Sequence, residues 1–159
     1  MMRRLRLHQL RPRSRRSAGT LGALLLLLLW VAFGGESRAA VDTWQRRDIL
    51  DAILWVESRG RDDVPDGDDG LAIGPYQIHR VYWLDATEFD PAIGGSYRDC
   101  RRRTYAERVI DAYMRRYAPD AWRIGDAQTI ARIHNGGPKG HTRQSTLDYW
   151  RRVRSRLPQ

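Results

Sequence analysis

The stretch Leu50-Asp51-Ala52-Ile53-Leu54-Trp55-Val56-Glu57-Ser58 decides how this chain is read. Leu50, Ile53 and Leu54 stand three and four residues apart, flanked by Ile49 and Val56, which is the spacing of an apolar stripe on an α-helix. A helix is predicted over about 43–57, with Gly60 as its stop. Glu57 lies seven residues after Leu50, four after Ile53 and three after Leu54, so it continues the buried stripe. Burial disfavours the charged carboxylate, and so does the negative end of the helix dipole. Both effects raise the pKa, which a carboxylic general acid needs near neutral pH. If the helix instead frays early, Glu57 is an ordinary solvated acid.

Moving outward, the next segment is an acidic, glycine-containing loop with Asp62, Asp63, Asp66, Asp68 and Asp69. A glycosidase needs one carboxylic acid to protonate the leaving oxygen and a second carboxylate to attack the sugar or activate water. A buried acid followed by a polar, flexible one supplies that pair. A calcium loop fits poorly. Counted from Asp66, the fifth position is Gly70 and the twelfth is Gln77, where an oxygen ligand and a glutamate belong. A solvated acidic turn is the remaining reading. Leu71 to Ile78 reads as a loop or short hairpin turning at Gly74-Pro75. In it Gln77 offers an amide to a sugar, and Tyr76 joins Tyr82 and Trp83 as a possible stacking wall or as core.

Further along, a short helix starts near Val81, and a longer one is predicted over about 104–117. There Thr104 and Glu107 match a capping box, and Tyr105, Val109, Tyr113 and Tyr117 repeat every fourth residue up to Pro119. A shorter helix is predicted over about 127–134, capped by Asp126 and closed by Gly136-Gly137-Pro138. His134, Asn135 and Gly136 place polar groups and a glycine at that helix end, where a ligand could approach the backbone closely. The last helix is predicted over about 146–157, with Leu147, Trp150, Val153 and Leu157 on one side and Arg151, Arg152, Arg154 and Arg156 on the other. The expected fold is mainly α, an α+β arrangement with a short hairpin or loop region lining a cleft. No spacing supports a Ser/His/Asp triad, a metal site or a phosphate-binding glycine loop, so no cofactor is expected.

The N-terminal region has a different character. Residues 1–39 begin with an arginine-rich head, continue through an apolar run from Leu21 to Phe33, and end in Ser37-Arg38-Ala39. That order predicts a secretory signal peptide. The apolar run rises only about 20 Å as a helix, short of the ~30 Å hydrocarbon core. Residues 40–159 are then the catalytic domain, secreted or periplasmic, with no stable membrane partner. Residues 1–40 hold eight arginines and Glu36, so +7 of the chain's net +9 belongs to them. The nearly balanced remainder gives no ground for a nucleic-acid partner. Cys100 is the sole cysteine, so no intrachain disulfide is possible and the domain must be held by its core.

Taken in order, these segments resemble the invertebrate-type (destabilase-like) lysozymes and their bacterial relatives. The resemblance runs from Ala52-Ile53-Leu54-Trp55-Val56-Glu57-Ser58 through Gly74-Pro75-Tyr76-Gln77-Ile78 to Tyr82-Trp83-Leu84-Asp85. It resumes at Tyr113-Met114-Arg115-Arg116-Tyr117, continues through Ala131 to Gly140, and closes at Ser145-Thr146-Leu147-Asp148-Tyr149-Trp150. A single lysine against twenty-seven arginines leans toward a bacterial source. The resemblance implies a lysozyme-like fold and hydrolysis of the β-1,4 link between N-acetylmuramic acid and N-acetylglucosamine in peptidoglycan. It puts the general acid on Glu57 and the second carboxylate on Asp68, with Asp66 and Asp69 as alternatives. Tyr76, Gln77, His134, Asn135 and Gly136 are the expected substrate contacts. Gly70-Leu71-Ala72 stand where some animal members carry a Ser-Leu-Ser segment, and His79 where they carry a lysine. No isopeptidase activity is therefore expected. Two rivals are a lytic transglycosylase, which yields 1,6-anhydromuramyl ends, and a non-catalytic wall-binding module using the arginine face of the last helix. The oligomeric state is not legible.

Overall fold

A computed structural model describes residues 42–159, so the signal peptide expected over 1–39 lies outside the described residues. Helix α1 spans Arg46–Ser58 and buries Ile49, Leu50, Ala52, Ile53 and Leu54, the stripe read from the sequence. It starts later than expected because the residues before it are held in extended pairing. Thr43 bridges Asp126, and the Trp44 N–H donates to the Gly125 carbonyl at 3.0 Å. It ends where Arg59 turns into the left-handed region (φ 57°), one residue before the expected Gly60. The Arg59 and Gly60 N–H groups then close on the Trp55 and Leu54 carbonyls.

The hairpin is formed by β1 (Ala72–Ile73) and β2 (Ile78–His79), antiparallel with Ala72 opposite His79 and Ile73 opposite Ile78. Gly74 makes the turn at φ 73°, and a Cβ there would sit 2.2 Å from the Cys100 carbonyl oxygen. Only glycine lets the hairpin press so close to that backbone. Helix α2 (Arg80–Phe89) follows directly and packs on α3 (Arg103–Tyr117). On α3 the tyrosine stripe faces inward, with Tyr105, Val109 and Tyr113 buried.

The capping box expected at Thr104 and Glu107 does not form. Helix α3 begins at Arg103, so Thr104 lies inside it, and Glu107 accepts instead from Arg47 and Tyr76. A capping box does occur at Ser96 and Asp99, on a 3-10 turn, with the Ser96 N–H donating to Asp99 at 2.7 Å. Pro119 ends α3 and also opens α4 (Pro119–Ile124), a helix the sequence reading did not separate. Proline suits that first position because its missing N–H would have had no helical partner. Asp126 caps α5 (Ala127–Gly136) as expected, accepting from the Thr129 N–H at 3.1 Å. Helix α6 (Leu147–Arg154) is shorter than predicted at both ends: Gln144–Thr146 enters it as a 3-10 turn, and it closes three residues early in a turn, with the Arg156 N–H on the Val153 carbonyl.

The result is a mainly helical, α+β lysozyme-like architecture with one two-stranded sheet among the described residues. Ile53, Ile78, Val109, Ile110, Met114, Ile130, Ile133 and Val153 form the centre of its core, each essentially without accessible surface. Burial of this kind contributes about 1.5–3 kcal/mol per large side chain, enough for one core to hold the domain without a disulfide. Helix α6 packs on both α1 and α5. That packing brings the C-terminal ends of α1 and α5 beside α6 and faces them with the hairpin, which forms the cleft.

Candidate active site

Glu57 sits in the last turn of α1, with 19% of its side chain exposed. Tyr149 of α6 donates its hydroxyl to Glu57 Oε1 at 2.6 Å. His134 of α5 places Nε2 3.8 Å from the same oxygen and is itself only 4% exposed. The Glu57 pKa is raised, chiefly by burial, against the opposing pull of the Tyr149 hydrogen bond and of Arg152. The negative charge of Asp68 adds to the rise. Burial drives the His134 pKa down to about 4, with the Tyr76 backbone pulling weakly the other way. This imidazole is therefore neutral at neutral pH and cannot hold Glu57 in its charged form.

These residues line a cavity of about 190 Å³ together with Ala72, Gln77, His79, Asn135 and Arg152. Asp68 reaches it from the acidic loop and accepts from, or pairs with, His79 Nε2 at 2.8 Å. Of the three candidate acids, Asp68 alone lines the cavity. Asp66 is drawn away by an ion pair with Arg101, and Asp69 faces solvent. The backbone around the cavity is unusual. Arg59, Asp68, Asp69 and Gln77 all have positive φ, a conformation costing roughly 1–2 kcal/mol for a residue with a side chain. Asp68 and Gln77 themselves line the cavity, and local strain of this kind gathers at functional sites.

The structure gathers Glu57, Asp68, Gln77, His134 and Asn135 around one cavity and leaves Tyr76 out of it. Tyr76 is completely buried, donating to Glu107 at 2.8 Å and receiving Arg47 at 3.3 Å. It has no surface to offer a sugar. Tyr82 is also core, stacked on Tyr113 at 3.5 Å between ring centroids, and Trp83 is half-buried with its N–H on Tyr105. Gln77 spends its amide nitrogen on the Gly74 and Pro65 carbonyls at 3.0 and 3.3 Å, so it ties the hairpin to the acidic loop. Gly136 lacks a Cβ to make room for Thr146 rather than for a ligand: a Cβ there would lie 2.5 Å from the Thr146 methyl.

Three side chains that line the cavity were not among the expected site residues: Tyr149, His79 and Arg152. Tyr149 stands four residues before Val153, at helical spacing, and that signal could have marked it as inward-facing.

Comparison with known proteins gives the family. The family model described as Destabilase matches residues 48–156. The chain belongs to the Destabilase family. It is 36% identical to a lysozyme of Ostrea edulis over 109 residues, 67% of this chain and 77% of that one. It is 30% identical to invertebrate-type lysozyme 6 of Caenorhabditis elegans, over 70% of this chain and 87% of the relative. The match to lysozyme 1 of Crassostrea virginica, 37% identical, covers 52% of this chain and 43% of that longer protein. Among solved structures, an inhibitor-bound lysozyme from Meretrix lusoria superposes with a TM-score of 0.58 at 32% identity, over 71% of this chain and 89% of the other. The chain is thus an invertebrate-type, lysozyme-family hydrolase. These relatives are molluscan and nematode, so they give no support to the bacterial leaning read from arginine usage.

Proposed function

We propose that this family member cleaves the β-1,4 bond between N-acetylmuramic acid and N-acetylglucosamine in peptidoglycan, with Glu57 as general acid and Asp68 as second carboxylate. The observation that carries the reading is the buried Glu57, its pKa raised by burial, sharing a cavity with an exposed aspartate. With Tyr149 donating to Oε1, Oε2 is the oxygen left to carry the proton toward the glycosidic oxygen. Asp68, kept at the cavity wall by His79, acts as nucleophile or stabilises the oxocarbenium-like transition state. His134, neutral and buried, walls the carboxyl without ionising it. Asn135, exposed at the end of α5, is placed to hydrogen-bond an N-acetyl or hydroxyl group. Gln77 acts indirectly, by holding the loop that bears Asp68.

The second carboxylate in the cavity favours hydrolysis over transglycosylation. The arginine face of α6 is a weak basis for a purely binding module. Arg151 pairs with Asp148 and Arg154 with Asp42, while Arg152 turns to the cavity. The substrate lies in the cell wall, so the protein works after export, as secreted or periplasmic enzyme; the leader of residues 1–39 supplies that route. Mass spectrometry of products from purified peptidoglycan tests the proposal. Reducing muramyl ends are expected from wild type and none from Glu57→Gln; 1,6-anhydromuramyl ends, or unchanged clearing by the variant, would contradict it.

A further inference from the structure

Beside the cleft lies a second cavity, of about 170 Å³, lined by Trp55, Val56, Arg59, Arg152, Ser155 and Arg156. It adjoins the first through Arg152, which lines both. Trp55 is 39% exposed and has two guanidinium groups over its ring, Arg156 at 5.0 Å and Arg59 at 6.0 Å from the centroid. Arg152 lies over the Tyr149 ring at 5.3 Å. Among the described residues, most arginines spend their donors on protein: Arg47 on Glu107, Arg101 on Asp66, Arg103 on Asp62, Arg115 on Asp90 and Asp111. Arg59, Arg152 and Arg156 do not. Among the described residues none of the three pairs with a carboxylate or donates a side-chain hydrogen bond. Three like charges held around one small cavity repel one another. Aromatic faces hold them in place through cation–π attraction, which leaves their N–H donors unspent.

We infer that this cavity is an anion subsite, taking a carboxylate carried on the lactyl-peptide substituent of a muramyl sugar bound in the neighbouring cleft. Unspent guanidinium donors match a carboxylate in charge and in planar geometry. Arg152 forms part of the wall of both cavities, so the subsite adjoins the cavity that holds Glu57. A substituent on a cleft-bound sugar reaches it without a separate ligand. The inference rests on the proposed glycan substrate, and it adds what selects that substrate: the acidic branch of the strand, in preference to a neutral homopolymer of N-acetylglucosamine.

Calorimetric titration of the full chain tests it, in the Glu57→Gln background so that the glycan is not cut, using a muropeptide oligomer with free carboxylates, the same oligomer with its carboxylates amidated, and chitotetraose. The Arg59→Gln/Arg156→Gln variant alters exposed side chains, and its melting temperature serves as the folding check. Affinity for the acidic oligomer is expected to fall about tenfold in the variant, as loss of charge-assisted hydrogen bonds implies. Affinity for the amidated oligomer and for chitotetraose is expected to move less than twofold. An equal loss for all three ligands, or none for any, overturns the subsite. So does binding of a glycerol phosphate oligomer as tightly as the acidic muropeptide, because the site would then read phosphate and not a glycan substituent. Tight, carboxylate-dependent binding, together with a wild type that never cuts the oligomer, leaves the subsite standing and removes the proposed glycosidase.

Discussion

The molecule holds two glutamates that each accept a tyrosine hydroxyl, and it drives them in opposite directions. Glu57 accepts from Tyr149 at 2.6 Å, and Glu107 accepts from Tyr76 at 2.8 Å. Their side chains keep almost the same accessible surface, 19% and 20%. Yet Glu57 is held above the ordinary carboxylate range and Glu107 below it. For both, burial pushes up. Glu57 is walled more deeply by protein; the buried His134 imidazole beside it is neutral, and Arg152 and His79 pull its pKa down only through space, without a hydrogen bond to it. At Glu107 the upward push of burial is outweighed by the Arg47 guanidinium, which bonds both carboxylate oxygens at 2.9 and 3.1 Å, together with the Tyr76 hydroxyl and the charge of Arg103. A tyrosine hydroxyl alone therefore does not set the direction of the shift; the depth of burial and a bidentate guanidinium distinguish the two sites. One glutamate is a structural anion, and the other has the raised pKa that the proposed general acid requires.

The strongest way to break this contrast is to neutralise each acid in turn. Glu57→Gln should cut the rate of peptidoglycan clearing by about 10²–10⁴-fold, the usual loss for a general acid, with little change in melting temperature. Glu107→Gln should do the reverse. Clearing per folded molecule stays near wild type, while denaturant titration shows a loss of about 1–3 kcal/mol, because the Arg47 fork loses the negative charge it pairs with and one of its two acceptor oxygens.

The His134 wall gives a pH test. Its pKa of about 4 in the fold lies below the ordinary value near 6.5, so the unfolded chain binds the proton first as pH falls. Stability should be fully present above about pH 6.5 and decline by about 3 kcal/mol on acidification to pH 4. Urea midpoints measured across that window check it. His134→Gln should flatten the dependence; an equally steep fall in the variant would assign it to other groups.

A smaller effect sharpens the role of Tyr149. Its hydrogen bond pulls the Glu57 pKa down, against burial. Tyr149→Phe should therefore move the alkaline limb of the pH–rate profile to higher pH, by up to about one unit, the worth of one hydrogen bond to a charged group. A shift to lower pH would mean that Tyr149 stabilises the protonated acid instead.

Much of this was legible in the sequence because it is local. The stripe from Leu50 to Glu57, the turn at Gly74-Pro75 and the Asp126 cap depend on neighbours within a few residues, and all three are present. The predicted Thr104–Glu107 cap failed because a partner from elsewhere, Arg47, sixty positions away, claims the glutamate. Tyr76 looked like a sugar platform because a motif cannot say which way a ring turns; the same network took it into the core. Tyr149 went unread as a site residue because it meets Glu57 across 92 residues, through the packing of α6 on α1. The choice among Asp66, Asp68 and Asp69 likewise waited on Arg101, which removes one of them from the cleft.

The claim on which the rest depends is the protonation state of Glu57, and carbon-13 NMR titration of the glutamate side-chain carboxyls reads it directly, with Glu107 as internal reference. The expected outcome is a Glu57 midpoint above the ordinary glutamate value of about 4.3 and a Glu107 midpoint below it. A Glu57 midpoint at or below the ordinary value would contradict the account, because that side chain would then be a carboxylate with no proton to give at neutral pH.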